Sequence, residues 1–168
     1  RHTEGERGVH MEQFNLIDIV SLSPRDQLLR PLSWRVDAAW VRKRFPDGDR
    51  PLIFRLSGGA GPTYAIGKKS LMYGMLETAF DVDSNFEDGY AVATGPMLGV
   101  LVSGSRASTG ITARALRYGI GDDHNTRELR LVQTYNPSRQ MQWRFELGRS
   151  REFDHAWNSA ALFWNLYF

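Results

Sequence analysis

The feature that most limits how this chain can fold is its final stretch, residues 158–168, which has the alternation of a β-strand. Side chains point alternately to the two faces of a strand, so residues two apart share a face. One face of this stretch is wholly apolar and the other is mixed. A tilted strand of about ten residues crosses the hydrocarbon core of a bilayer. The stretch could therefore span a membrane, although a half-buried strand of a soluble protein has the same pattern.

The preceding sequence repeats this kind of pattern about nine times in all, with turn signals between the repeats and no helical period. We expect a bulge near Asp18 to correct the phase of the first strand, and a slip near Ala115 in the sixth. The pattern predicts an all-β, antiparallel, up-and-down barrel. The strand candidates cover residues 11–22, 33–41, 52–66, 70–82, 90–102, 110–120, 128–135, 140–149 and 158–168.

The joins between these strands differ in character on the two sides of the predicted barrel. On the side where the chain ends they are compact, at residues 67–69, 103–108 and 136–138. On the other side they are charged, at residues 42–50, 81–89, 121–127 and 150–155. Short periplasmic turns and longer outer loops are typical of outer-membrane barrels. This favours a transmembrane barrel over a soluble barrel or sandwich, although the long join at residues 23–32 breaks the rule.

Composition excludes several other classes of protein. The 168 residues suffice for a single domain, 1–168, and no linker-like stretch divides them. There is no cysteine, and therefore no disulfide or thiolate site. The net charge is only +2, and no basic run interleaves with aromatic residues, so we expect no nucleic-acid partner. No apolar run approaches the length of a membrane-spanning helix, which excludes a helical membrane protein.

Three stretches resemble a known family. They are Leu-Ile-Asp-Ile-Val-Ser-Leu-Ser-Pro-Arg-Asp at residues 16–26, Pro-Leu-Ser-Trp-Arg-Val-Asp at residues 31–37, and Gly-Asp-Asp-His-Asn at residues 121–125. They are similar to the C-terminal outer-membrane β-barrel of large Gram-negative proteins that begin with a periplasmic Lnb-type domain. The likeness extends over nearly the whole chain from about Met11 onward, and its first motif is long enough to be fairly specific.

The resemblance implies a location, partners and a role. It implies a barrel of about twelve strands in the bacterial outer membrane, with the first few strands upstream of Arg1; membrane barrels of single bacterial chains have even strand numbers. The module would anchor an upstream periplasmic domain of the same chain and could pass a small solute. The implied partners are outer-membrane lipid, lipopolysaccharide and the barrel-assembly machinery. A final aromatic residue also resembles the C-terminal sorting signal of such barrels, here formed by Trp164, Leu166 and Phe168.

The alternation assigns side chains to two faces. A hairpin loop at residues 136–138 would set Arg130 opposite Arg144, and a five-residue loop would set it opposite Glu146; either register brings Arg130 within reach of Glu146. The predicted lumen charges are Arg35, Asp37, Arg55, Glu77, Glu128, Arg130, Arg144 and Glu146. The predicted lipid-facing residues are Trp34, Trp40, Trp143, Phe145, Leu162, Trp164 and Leu166.

The strongest candidate for catalysis is His124, which follows Asp122 and Asp123 on a predicted outer loop. A histidine steered by a carboxylate can act as a general base, which leaves an outer-membrane lipid hydrolase as an alternative function. No serine neighbours His124 and no esterase motif surrounds it, so a polar loop facing water or lipopolysaccharide is the simpler interpretation. A soluble ligand-binding barrel is the third possibility.

Acidic clusters raise the question of a metal site. Carboxylate oxygens suit hard cations, but neither the pair at residues 122–123 nor the set Asp81, Asp83 and Asp88 has the spacing of an EF-hand. The glycine-rich residues 58–61 lack the Lys-Ser/Thr and helix of a phosphate loop, so we interpret them as a bend. We predict no metal and no cofactor.

Overall fold

A computed structural model describes residues 13–25, 32–42, 52–84, 86–121, 125–152 and 155–167. Within these ranges every regular element is a β-strand, which confirms the all-β prediction. No helix among the described residues is long and apolar enough to cross a membrane.

The strands form one curled sheet, a half-barrel with a concave and a convex face. Its main path runs β1-β3-β4-β6-β7-β8-β9-β10-β11, and every pair along this path is antiparallel. Two short strands lie off the path, where β2 pairs with β5 in parallel. The strands are β1 Gln13–Ser21, β2 Pro24–Arg25, β3 Ser33–Arg42, β4 Leu52–Gly61, β5 Thr63–Ala65, β6 Ser70–Val82, β7 Tyr90–Ser103, β8 Ala107–Gly121, β9 Thr126–Ser138, β10 Met141–Glu152 and β11 His155–Leu166.

Small residues on the concave face of β7 make room for larger side chains from its neighbours. Ala91, Ala93 and Gly95 are buried in this row. Farther along, the Tyr73 ring of β6 lies over Gly99, where a Cβ atom would be 2.2 Å from the ring Cζ. Only glycine leaves space for the ring at that position, which agrees with the prediction that small inward residues accommodate large ones.

Residues 58–61, which were predicted to bend, are the last residues of β4 and pair with β3 without a register shift. The β3–β4 ladder continues to the pair Ser33–Gly61, and β5 begins two residues later. A Cβ atom on Gly61 would lie 1.9 Å from the backbone oxygen of Gly74. The two backbones therefore approach each other as only a glycine allows.

Two predicted irregularities exist but lie elsewhere. In β1 the register shifts between Asn15 and Ile17, so the bulge is at Leu16 rather than near Asp18. In β8 the shift lies opposite Val92 and Ala93, at Gly119 rather than near Ala115. Both bulge positions were predicted wrongly. Hydrophobic alternation shows that the phase of a strand changes, but it does not show which residue is the extra one.

The predicted register of the β9–β10 hairpin is wrong. The turn is Arg139–Gln140, because β9 continues to Ser138. Pro137 is compatible with the strand because the last pairs of β9 with β8 and β10 skip it. Arg130 therefore pairs with Gly148 across the ladder, not with Arg144 or Glu146. The shift is by an even number of residues, so the predicted faces are unchanged.

A small hydrophobic core closes the concave face at the end of the charged loops. Phe86 comes from the loop between β6 and β7, where its N–H donates to the Asp83 carbonyl and its own carbonyl accepts from the Gly89 N–H. The loop folds its one aromatic side chain inward onto the sheet. The cluster consists of Ile53, Ala79, Phe86, Ala91, Ala93, Leu116 and Tyr118.

Candidate functional site

The candidate site is the concave face below this core. It encloses a cavity of about 570 Å³ that reaches from β1 and β3 across to β10 and β11. Its lining is rich in charged side chains, including Arg35, Asp37, Arg114, Glu128 and Arg130. Buried charges must be paired or hydrogen-bonded, so the partners of these groups determine what the site can do.

The most buried cluster joins Arg55 of β4 to Asp81 of β6 and Tyr118 of β8. Arg55 binds the carboxylate with two parallel contacts, Nε to Oδ1 at 2.7 Å and Nη2 to Oδ2 at 2.8 Å. The Tyr118 hydroxyl donates to Asp81 Oδ2 at 2.7 Å and accepts from Arg55 Nη2 at 2.7 Å. A bidentate pair with a shared hydroxyl is among the strongest polar arrangements in proteins. It ties three strands together beneath Phe86.

A second cluster lies four residues farther along β6 and β8, away from the charged-loop end. Arg114 Nη2 donates to Glu77 Oε1 at 2.6 Å, and Glu77 is almost completely buried. The other guanidinium nitrogen of Arg114, Nη1, lies 3.8 Å from Glu128 on β9. Arg114 therefore connects a buried carboxylate on β6 to a more exposed carboxylate on β9.

Arg35 of β3 has looser contacts than the other lumen arginines. Its nitrogens lie 3.7 Å from Asp18 and 3.9 Å from Asp37, and Nη1 is 3.8 Å from the sulfur of Met97. The Asp37 carboxylate also accepts a long hydrogen bond, 3.4 Å, from Ser57. Because none of these contacts is short, the Arg35 guanidinium is held mainly by charge rather than by directed hydrogen bonds.

The third group of charges lies on β9 and β10. Arg130 donates through Nε and Nη2 to Oε2 of Glu146, which is diagonal to it across the ladder. Arg144 Nε lies 2.6 Å from Glu146 Oε1, but this nitrogen has no hydrogen bond of acceptable geometry. That contact is therefore a close ion pair and not a hydrogen bond. The guanidinium of Arg144 also lies 6.0 Å from the Phe163 ring on β11.

Several buried polar atoms have no hydrogen-bond partner among the described residues. They are Arg35 Nε, Arg114 Nε, Arg144 Nε and Glu77 Oε2. Arg35 and Arg114 line the cavity, which is large enough to hold many water molecules. A wet lumen would satisfy these atoms and screen the charges around them. The site is thus suited to water and small polar solutes.

All the predicted lumen charges lie on the concave face, and each of them takes part in an ion pair. The seven residues predicted to face lipid lie on the convex face, and each is substantially exposed. Trp157, which the prediction did not include, lines the cavity instead. Phe168 of the predicted assembly signal lies outside the described residues, whereas Trp164 and Leu166 lie on the convex face of β11.

The structure does not address the predicted catalytic residues. Asp122, Asp123 and His124 lie outside the described residues. Asp81, considered above as a possible metal ligand, is instead bound to Arg55. No group of three or more histidines or carboxylates within the described ranges has the arrangement of a metal site.

The predicted lumen charges did not include Asp18 or Asp81, and neither Tyr118 nor Phe86 was predicted to belong to the charge network or its cover. Tyr118 was missed because the misplaced slip in β8 put it out of phase with Arg114. With the bulge at Gly119, every second residue from Thr112 to Tyr118 shares the concave face. Phe86 could have been recognised as a single aromatic residue in an otherwise polar, acidic loop.

Comparison with known proteins adds a family but no activity. A family model described as a domain of unknown function, DUF7840, matches residues 1–167. The chain belongs to the DUF7840 family. No curated protein and no solved structure matches it. The charge network therefore lies on the concave face of a DUF7840 domain.

Proposed function

We propose that the chain is an outer-membrane β-barrel module that anchors an upstream periplasmic domain and passes small polar solutes at most. One observation carries this proposal: the exposed convex face of the sheet is apolar except for arginines near the charged-loop end, whereas the enclosed concave face carries paired charges. On the convex face, Leu162 is 72% exposed and Leu76 is 66% exposed, whereas Asp81 and Glu77 are buried on the concave face. A soluble ligand-binding barrel would have the opposite distribution, so that alternative fits less well.

Aromatic residues at both ends of the convex face support the same proposal. Membrane barrels have an apolar band flanked by aromatic girdles at the two interfaces. Between the two sets lie aliphatic residues such as Leu56, Leu98, Ile111 and Leu147. At the charged-loop end the aromatic residues are Phe14, Trp40, Phe54, Phe80 and Tyr90, and at the other end they are Trp34, Tyr64, Tyr135, Trp143 and Trp164.

The strand count and the sheet ends support a larger barrel. The main path has nine strands, and single-chain bacterial barrels have even numbers. No ladder joins β1 to β11 within the described residues. A barrel of about twelve strands would place further strands of the same polypeptide between them. The resemblance of the sequence to C-terminal barrels of Gram-negative proteins favours the outer membrane, with lipopolysaccharide and the assembly machinery as partners.

Two arginine substitutions on β11 test this proposal. Leu162→Arg places a charge on the convex face, where it should cost about 2–4 kcal/mol if the residue lies near the bilayer midplane. Ser159→Arg places the same charge on the concave face beside the cavity, where water can solvate it. Folding yield of the full-length protein in phosphatidylcholine vesicles should fall for Leu162→Arg and stay near wild type for Ser159→Arg. Equal yields for the two variants would contradict a lipid-facing convex surface.

A further inference from the structure

The convex face of β8, β9 and β10 carries a group of arginines near the charged-loop end. Arg127 of β9 lies directly opposite Arg151 of β10. Arg149 is two residues from Arg151 on the same face, so it is diagonal to Arg127. Arg117 of β8 is diagonal to Arg127 from the other side, because Arg127 pairs with Ala115. All four side chains are exposed, and we call Arg117, Arg127 and Arg149 the arginine patch.

The patch has no neutralising neighbour on its own face within the part of the chain that the structure describes. No carboxylate of the described residues forms an ion pair with Arg117, Arg127 or Arg149. The adjacent convex positions are uncharged: they are Thr94, Ala113, Ala115, Leu129, Ala156 and Asn158. Like charges that are close neighbours on adjacent strands repel each other when no opposite charge lies between them. An arrangement of this kind is stabilised when an anion binds between the side chains.

The position of the patch indicates where such an anion would come from. Leu129, Leu131 and Leu147 lie immediately beside it toward the middle of the strands, on the same convex face. The aromatic girdle at this end lies on β1, β3, β4, β6 and β7, whereas the arginine patch occupies the corresponding ends of β8, β9 and β10. The arginines thus border the apolar band at the level where lipid head groups lie.

We propose that the arginine patch binds the phosphate groups of anionic membrane lipids, with the acyl chains lying on the neighbouring leucines. A guanidinium is planar and can donate two parallel hydrogen bonds to phosphate, so several converging arginines suit this ligand better than lysines would. Long arginine side chains at the edge of an apolar band also reach readily to the head-group level. This site depends on the proposed membrane location. It gives the part of the barrel wall formed by β8, β9 and β10 a preference for phosphorylated lipid.

Lipid binding by the full-length protein in dodecyl maltoside micelles tests this proposal. Native mass spectrometry would compare phosphatidylglycerol with phosphatidylcholine for the wild type and for the double variant Arg127→Gln, Arg149→Gln. Each basic side chain near an anionic surface contributes about 1 kcal/mol, or about five-fold in affinity. We expect the double variant to bind phosphatidylglycerol about 25-fold more weakly, with phosphatidylcholine binding unchanged. Arg127→Lys should lose part of the affinity, because it keeps the charge but not the planar fork.

The matched control is Arg139→Gln, since Arg139 is exposed in the turn at the opposite end of the same two strands. It should bind phosphatidylglycerol as the wild type does. An unchanged lipid preference in the double variant, or an equal loss in the control, would overturn the proposal. Full displacement of the lipid by inorganic phosphate at equal concentration would also overturn it, because it would indicate a site for free anions. Normal insertion into phosphatidylcholine vesicles alongside any of these results would leave the membrane proposal standing and reject only this site.

Discussion

The concave face has a covered part and an open part, and the same kinds of side chain behave differently in them. In the covered part, on β4, β6 and β8, Arg55 and Asp81 meet through two short parallel contacts beneath Phe86. In the open part, on β9 and β10, the Arg130 side chain is 42% exposed and both of its contacts go to one oxygen of Glu146. Charge pairing alone therefore does not distinguish the two parts; access to water does.

This difference determines what each part contributes to the fold. Buried ions have lost their hydration, so they are stable only while every partner stays in place. Exposed ions keep water as an alternative partner, and their mutual attraction is worth little. We therefore expect the covered part to contribute more to the free energy of unfolding than the open part. Three substitutions test this comparison, starting with the largest expected effect.

Asp81→Ala should be the most damaging change, because it leaves the Arg55 guanidinium buried without its carboxylate. Removing one partner of a buried ion pair typically costs about 3–5 kcal/mol. The free energy of unfolding of the full-length protein, measured by urea titration in detergent, should fall by this amount.

The double variant Arg55→Met, Asp81→Leu is the control, since it removes both charges and keeps similar volumes. It should recover a large part of the loss, because replacing a whole buried pair with apolar residues is often nearly neutral. A double variant as unstable as Asp81→Ala would mean that the cluster is needed for its hydrogen bonds rather than for charge balance.

Tyr118→Phe should have an intermediate effect. It deletes only the hydroxyl that lies between Asp81 and Arg55, and hydrogen bonds to charged groups are worth about 1.5–3 kcal/mol. The same urea titration should show a loss within this range. Tyr135→Phe is the matched control, because Tyr135 is exposed on the convex face; a loss as large in the control would show that the method does not resolve the buried hydroxyl.

Glu146→Ala should have the smallest effect, about 0.2–1 kcal/mol for a wet pair. It leaves both Arg130 and Arg144 without their shared carboxylate, so the single change should cost more than the double change Glu146→Ala, Arg130→Ala. A double-mutant cycle on the free energy of unfolding would measure this coupling. A coupling as strong as that of Arg55 with Asp81 would contradict the distinction between covered and open parts.

The sequence predicted the strands well because their signal is local. The bounds of β6 coincide with the predicted residues 70–82, and β3 and β7 differ from prediction only at their final residue. Alternation of apolar and polar side chains, together with turn chemistry, sufficed for this. The faces of Arg55, Glu77 and Arg130 followed directly from the same alternation.

The sequence could not predict the register in which residues meet across the sheet. The pair Arg130 and Glu146 is in contact as predicted, but through a diagonal in a register that the prediction did not include. The Asn-Pro-Ser stretch at residues 136–138 has the composition of a turn, yet the turn is the next two residues. Tyr118 and Phe86 depend on a bulge position and on a loop folding inward. Both are set by tertiary packing, which leaves no periodic signal in the sequence.

The central claim is that the convex face of the sheet contacts lipid and the concave face contacts water. Spin labels on β11 test it directly, and because the chain contains no cysteine, single cysteines can be introduced for labelling. In phosphatidylcholine vesicles, labels at Leu162 and Trp164 should be relaxed by oxygen, which concentrates in lipid. Labels at Ser159 and Ala161 should be relaxed by a water-soluble nickel complex. Relaxation of all four labels by the nickel complex, without alternation along the strand, would contradict the account.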